Sequence, residues 1–464
     1  MGKRIINPLL EVKSDDMNII NSYRFGTTPT TNPDAFIMEF NMGAGETLTI
    51  PLFNTTGYNF TIDWKDGNVS PTITTYNEAN RSHTYTNAGV YQIELLGVVK
   101  GIYFNNAGSK LKLTKIIQWG NVGFTTFQNA FFGCNNLTFL PTGSITGASE
   151  VSVSAFYWAF RGCTSLKTIS SDLFKLCISI SSSGFYGTFQ ECDLDYIPTD
   201  LFRYNTSVGS SGFYRTFYNG NTRVTSIPTD LFRYNTSVSS SGFYQTFHGC
   251  TSLTSIPTDL FRYNTAVSTY GFYSTFYGCT SLTSIPTDLF RYNTAVSSSG
   301  FNNAFYGCTV LNINDTIFYA AGEQATRFIN KTSDFTSCFY RTSFSGTQGT
   351  APDLWNCDYG ETITLDVSPT TDWAVGDIIT GQTSGATSEV VSKTSSTVYK
   401  IKKHFGTYTV GEIIGVTGNA DKLADQGAAK PTFTGTPVST SCFGGAGNST
   451  TSLTNYNDIP ASWK

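Results

Sequence analysis

Six of the chain's ten cysteines, Cys134, Cys163, Cys192, Cys250, Cys279 and Cys308, recur at one place in a repeated motif, and none of the ten forms a C-x-x-C pair. Free cysteine packs as a small hydrophobe, so the column reads as buried thiols. A disulfide ladder is the alternative in an oxidising compartment, and a zinc site fits the spacing least. The three histidines, His83, His248 and His404, are far apart and none sits in an H-E-x-x-H spacing. His248 stands where other repeats carry Tyr277, Tyr306 or Phe132, so variation at a surface position explains it better than catalysis. No nucleophile elbow, phosphate loop or dinucleotide fingerprint is present. A glycosidase acid pair is defined by a spatial gap of roughly 5 to 10 Å and not by sequence, yet equivalent aspartates in successive repeats argue for structure. No catalytic, metal-binding or cofactor-binding residue is therefore expected, and the chain is not expected to be an enzyme.

The polar groups that recur belong to Asp-Leu-Phe-Arg-Tyr-Asn, found at 200–205, 230–235, 259–264 and 288–293. Stacked about 5 Å apart, a column of Arg203, Arg233, Arg262 and Arg291 repels itself unless neutralised, and the Asp three residues earlier can do that. One reading is a solvated charge ladder with Tyr204, Tyr234, Tyr263 and Tyr292 partly packed. The sharper reading is a Tyr/Arg/Asn ligand surface for sugars. Repetition alone accounts for the ladder.

These columns need elements to hold them. At 464 residues the chain is long enough for two or more domains, and an aromatic share of 15% can build real cores. A net charge of -4 gives no basic field for nucleic acid or anionic lipid. No apolar run approaches the roughly 18 residues of a membrane span, the start carries no secretory h-region, and Ile6 spoils a myristoylation signal at Gly2. Synthesis in a cytoplasm without membrane insertion is the expectation.

Phe-x-x-x-Phe recurs at 127/131, 156/160, 185/189, 213/217, 243/247, 272/276, 301/305 and 335/339, with the second Phe spaced by 29, 29, 28, 30, 29, 29 and 34 residues. Phe243 and Phe247, at i and i+4, predict a short helical turn, and Leu253-Thr254-Ser255-Ile256 before Pro257 predicts a brief strand. Thr258 or Asp259 is placed to cap a second helical turn through Leu260 and Phe261. One such unit cannot bury its Phe, Leu and Ile, so neighbours must supply the core.

The motif F-x-G-C-T-S-L-T-S-I-P, at 247–257 and 276–286 with looser copies at 131–141 and 160–170, resembles the BspA-like leucine-rich repeat surface proteins of Bacteroidetes and their phages. Gly220 departs from it by replacing the repeat Cys. The resemblance implies a leucine-rich-type solenoid displayed on a surface.

Short β-patterned runs at 37–40, 47–52, 59–64, 82–85 and 90–96 precede the repeats. Asp63-Trp64-Lys65-Asp66-Gly67 followed by His83-Thr84-Tyr85 and Gly89-Val90-Tyr91 resembles the PKD-type immunoglobulin-like domain, which implies a β-sandwich with Trp64 in its core. A calcium site on Asp63 and Asp66 has too few ligands to be expected. Thr336-Ser337-Cys338-Phe339 is echoed 104 residues later by Thr440-Ser441-Cys442-Phe443, as an insertion into the repeat series would produce. Inside it, Val375-Gly376-Asp377-Ile378-Ile379 and Val410-Gly411-Glu412-Ile413-Ile414 predict hairpin segments, loosely similar to small β modules of phage structural proteins. Trp373, Tyr399 and Tyr408 are expected in its core.

The expected class is thus multidomain α+β: a docking arm at 1–34, a β-sandwich at 35–105, a repeat solenoid at 106–360, an inserted β domain at 361–435, and a final turn with cap at 436–464. The resemblances imply a virion structural protein of a Bacteroidetes phage, such as a tail or head fibre. Its partners would be other virion proteins, further copies of itself and a host glycan or protein, with no nucleic acid. A bacterial surface adhesin is the alternative, and a glycan depolymerase a third.

Overall fold

The structure, a computed structural model, describes residues 32–146, 153–329, 331, 333–342, 349–357, 359–365, 368, 369, 371–402, 412–416, 423, 424, 441–446 and 453–464. Nearly all of the expected docking arm, with His404 and Tyr408, lies outside these residues.

Backbone hydrogen bonding explains the repeats. From Phe156 to Cys163 every N–H donates, in alternation. Phe156, Trp158, Phe160 and Gly162 donate to the carbonyls of Gly184, Tyr186, Thr188 and Gln190 in the next turn. Tyr157, Ala159, Arg161 and Cys163 donate three residues back within their own turn. Left-handed residues recur every fourth position, at Ser154 (φ 52°), Trp158 (φ 52°) and Gly162 (φ 71°). The segment is therefore a ribbon of consecutive β-turns. An α-helix would consume its own N–H groups and leave none to join neighbours. The ribbon keeps half of them for stacking.

This overturns the expected α+β class. Among the described residues there is no α-helix, only three-residue 3₁₀ segments, and the named strands lie in three separate small sheets. In each Phe-x-x-x-Phe the central residue is left-handed: Arg215 (φ 55°), Gln245 (φ 53°), Ser274 (φ 51°) and Asn303 (φ 54°). Such a residue breaks a right-handed helix. The expected second helical turn is also a β-turn, since Leu260 donates to Pro257 and Arg262 to Asp259. The expected strand at 253–256 reduces to a single rung per turn, as where Thr254 donates to Thr225 and Thr283 to Thr254.

No valine, isoleucine or threonine occupies a left-handed position among the described residues, because a branched Cβ clashes there. Asn303→Val is accordingly expected to destabilise by roughly 1–2 kcal/mol, whereas Asn303→Gly should cost a few tenths at most. Urea midpoints of the two variants check this.

Three phenylalanine columns fill the coil. Phe185, Phe213, Phe243 and Phe272 stack with centroids 5.6, 5.7 and 5.6 Å apart. Phe189, Phe217, Phe247 and Phe276 follow at 5.8, 5.7 and 5.6 Å, and Phe202, Phe232 and Phe261 at 6.1 and 6.2 Å. All of these rings are buried. Polar columns run between them. Asn235 Nδ2 donates to the carbonyls of Phe202 (3.0 Å) and Asn205 (2.9 Å), and Asn264 Nδ2 to those of Phe232 (3.1 Å) and Asn235 (2.9 Å). After Asn293 the column ends on buried Arg327, whose guanidinium donates to the carbonyls of Phe318 (2.6 Å) and Phe290 (3.0 Å). Burial holds Arg327 down at about 10, still charged at neutral pH.

The ends are closed. Strands β1 (Phe36–Met42), β2 (Thr47–Thr49), β3 (Asn59–Asp63), β4 (Ser82–Thr84), β5 (Gly89–Val98) and β6 (Leu113–Gln118) form a four-stranded sheet, β3-β5-β1-β6, and a two-stranded one, β2-β4. The sheet passes directly into the coil: Thr138 donates to Thr114 in β6, and Ile116 to Phe139. Phe104 and Asn106 donate to the first turn at Ala130 and Phe132. At the far end Phe339 stacks on Phe443 at 5.4 Å, and Phe443 donates to the Trp463 carbonyl. One continuous apolar core runs from Phe36 to Trp463.

Between Phe339 and Phe443 the chain leaves to form β7 (Glu361–Thr364), β8 (Ile378–Gly381), β9 (Thr387–Lys393), β10 (Val398–Ile401), β11 (Ile414–Val416) and β12 (Leu423–Ala424). They form one sheet, β12-β11-β8-β9-β10-β7, with a separate core that includes Trp373 and Tyr399. Buried Glu412 accepts from the Thr383 N–H (3.0 Å) and from the N–H and hydroxyl of Ser384 (both 2.8 Å), fixing the β8–β9 turn. No helix among the described residues is long and apolar enough to cross a membrane.

Candidate functional site

The Asp-Leu-Phe-Arg-Tyr-Asn segments put their charges and rings on one edge of the coil. Arg203, Arg233 and Arg262 each lie over the tyrosine of the following turn, Tyr234 (5.2 Å), Tyr263 (5.1 Å) and Tyr292 (4.9 Å). Each also pairs with the carboxylate three residues earlier: Asp200 (3.5 Å), Asp230 (3.2 Å) and Asp259 (3.3 Å). Lys175 begins the series over Tyr204 at 5.7 Å. Arg291 ends it on Asp288 (3.7 Å) and Glu323 (2.6 Å).

Arginine and tyrosine thus form an interleaved ladder, in which cation–π contact sets an arginine against rings that a sugar would otherwise use. Hydrogen bonding to Asp230 raises the Arg233 pKa, and Asp259 does the same for Arg262. The asparagines expected on that surface are not there. Asn205, Asn235, Asn264 and Asn293 are wholly buried in the column described above, because each amide bridges two carbonyls of the preceding turn.

Two further ladders run along the coil, the second through the repeat position shared by His248, Tyr277 and Tyr306. Tyr186, Tyr214, Tyr244 and Tyr273 stack at 4.3, 4.4 and 4.6 Å. Tyr218, His248, Tyr277 and Tyr306 stack at 4.6, 4.5 and 4.6 Å, with Arg215 over both Tyr214 (5.3 Å) and Tyr218 (5.0 Å). Their signal in sequence was recurrence at the residues following each Phe of the pair. Desolvation in this stack pushes the His248 imidazole down to about 4 from 6.5. The unfolded chain then binds the proton more readily, so stability present above about pH 6.5 is lost as pH falls toward 4. Discounted for partial exposure, the loss is about 1–2 kcal/mol. His248→Tyr, the residue of neighbouring turns, is expected to remove that acid sensitivity in melting curves between pH 4 and 7.

All ten cysteines are free and buried. Cys163, Cys192, Cys279 and Cys308 donate to the carbonyls of Phe131 (3.3 Å), Phe160 (3.0 Å), Phe247 (3.3 Å) and Phe276 (3.1 Å). Where Gly220 displaces the cysteine, Asn221 supplies the donor, with Nδ2 3.0 Å from the Phe189 carbonyl. Burial pushes Cys192, Cys250 and Cys308 up to about 12, which keeps them as unreactive thiols.

In the N-terminal sheets His83 bonds Asp66 at 2.6 Å and stacks on Trp64 at 5.1 Å, while Asp63 pairs with Lys65 at 2.8 Å. The two aspartates are engaged separately. No group of three or more metal-ligating side chains is present among the described residues. No model of a known protein family matches the chain, and no curated protein matches it.

Proposed function

We propose that the chain is a non-enzymatic structural protein of a Bacteroidetes phage virion, part of a tail or head fibre or similar appendage, that extends a surface toward the host. The observation that carries this reading is the sameness of the polar devices from turn to turn. Arg203, Arg233 and Arg262 meet the same two partners, and Asn235, Asn264 and Asn293 bridge the same pair of carbonyls. Such repetition yields length and stiffness. A tuned active site needs one constellation unlike its neighbours. The repeat motif's resemblance to displayed surface proteins supports the same reading.

The chain is then made in the host cytoplasm and incorporated into particles beside other virion proteins and further copies of itself. Mass spectrometry and immunogold labelling of purified particles test this. The protein is expected in stoichiometric amount at one site on the particle. Its absence from particles together with its presence on uninfected bacterial cells would overturn the proposal in favour of an adhesin.

A further inference from the structure

We infer that a cleft across the first turns binds a neutral polysaccharide chain. At the third position of the Leu-x-x-Ile segment, three consecutive turns carry Ser226, Ser255 and Ser284, but the first turns carry Phe139, Thr168 and Tyr196. The two rings are 43% and 50% exposed, and among the described residues neither makes a ring–ring or cation–π contact. They flank a cleft of about 550 Å³. Two half-exposed aromatic side chains on one cleft, at positions where serine serves elsewhere, form a shared apolar surface of the kind that marks a binding groove.

The lining identifies that ligand. Between and beside the rings lie Thr142, Thr168, Ser171 and Thr199, and among the described residues no protein group bonds their hydroxyls. No aspartate, glutamate, lysine, arginine or histidine lines the cleft. Aromatic faces pack on the C–H faces of a pyranose, and hydroxyls exchange hydrogen bonds with its polar edge. The absence of charge among the lining residues offers nothing to a sulfated or uronic acid glycan. Phe139 and Tyr196 stand two turns apart, about 10 Å at a β-type spacing per turn. That places the rings under alternate sugars of an extended chain, with Thr168 beneath the sugar between them. The tyrosines of the Arg–Tyr ladder are a poorer platform, because a sugar would have to displace the arginines that lie over them.

The inference goes beyond the structural role and does not rest on it. Finding the chain absent from particles leaves the cleft's chemistry intact, and a failed titration leaves the virion reading intact. The full chain is titrated calorimetrically with cellohexaose, mannohexaose, xylohexaose and laminarihexaose, and with heparin and polygalacturonate as acidic probes. At least one neutral hexasaccharide is expected to bind and both acidic probes to fail. Phe139→Ser/Tyr196→Ser, which restores the serine of other turns and so should fold, is expected to weaken binding at least tenfold. Arg262→Ala/Tyr263→Ala should bind as the parent does. Failure of all four neutral probes, or equal binding by the double serine variant, overturns the inference. Preference for the acidic probes overturns it as well. So does self-association that the double variant abolishes without any glycan binding.

Discussion

Phe247→Ala is expected to lower stability by about 3–5 kcal/mol, the usual cost of deleting a buried aromatic ring. Phe247 stacks between Phe217 (5.7 Å) and Phe276 (5.6 Å), and Phe232 lies 6.1 Å away. The rings around the gap belong to different turns, each held by its own backbone rungs, so collapse into the cavity would require turns to shift against one another. In a stack, each turn gets its stability from its neighbours. The damage should therefore be local: amide exchange should accelerate most across 213–276, while the inserted sheet, with a core of its own, keeps its protection. Uniform loss of protection over both cores would contradict the description of the coil.

Asn264→Asp is expected to cost at least ~3 kcal/mol at pH 7, the scale for a buried charge left without a partner. The amide that is replaced donates to two carbonyl oxygens, of Phe232 and Asn235. A carboxylate there would face both acceptors with no proton to give. The folded state would hold the new carboxyl protonated and raise its pKa above the unfolded value of about 3.9. A raised folded pKa means that the native state binds more protons, so the deficit relative to the parent should shrink as pH falls. Asn264→Leu, which leaves the carbonyls bare but adds no charge, should cost roughly 1–3 kcal/mol per carbonyl, with no such pH dependence. Denaturation of the three proteins at pH 4.5 and 7 separates the effects.

What could be read from sequence was whatever repeats. The interval near 29 residues and the Phe pair are visible because stacked turns impose the same environment on each copy. The conformation inside a turn was not visible. Phenylalanines at i and i+4 fit one face of a helix, and they fit equally a ribbon of four-residue β-turns. The residue that decides between these is the left-handed one, filled by Trp158, Arg215, Gln245, Ser274 or Asn303, which share little except the lack of a branched Cβ. The Asn of Asp-Leu-Phe-Arg-Tyr-Asn looked like surface because its two acceptors lie in the preceding turn, out of sight of any single repeat. The same holds for Arg203, Arg233 and Arg262, whose closer aromatic partner is the tyrosine one turn ahead. Phe139 and Tyr196 are departures from the repeat, and a repeat makes legible only the positions at which its copies agree.

Register holds the coil together: each turn hands its N–H groups to equivalent carbonyls about 29 residues on, as Phe213 does to Gly242 and Phe243 to Gly271. The most direct test deletes one whole unit, residues 241–269, and compares it with deletion of half a unit, 241–255. Removal of the whole unit should leave a folded, cooperatively melting coil shortened by one turn, because Tyr214, Phe217 and their neighbours find equivalent partners in the turn that follows. The half-unit deletion should disrupt the stack on both sides of the cut. Equal disruption by the two deletions would contradict the register, and with it the stacked β-turn coil.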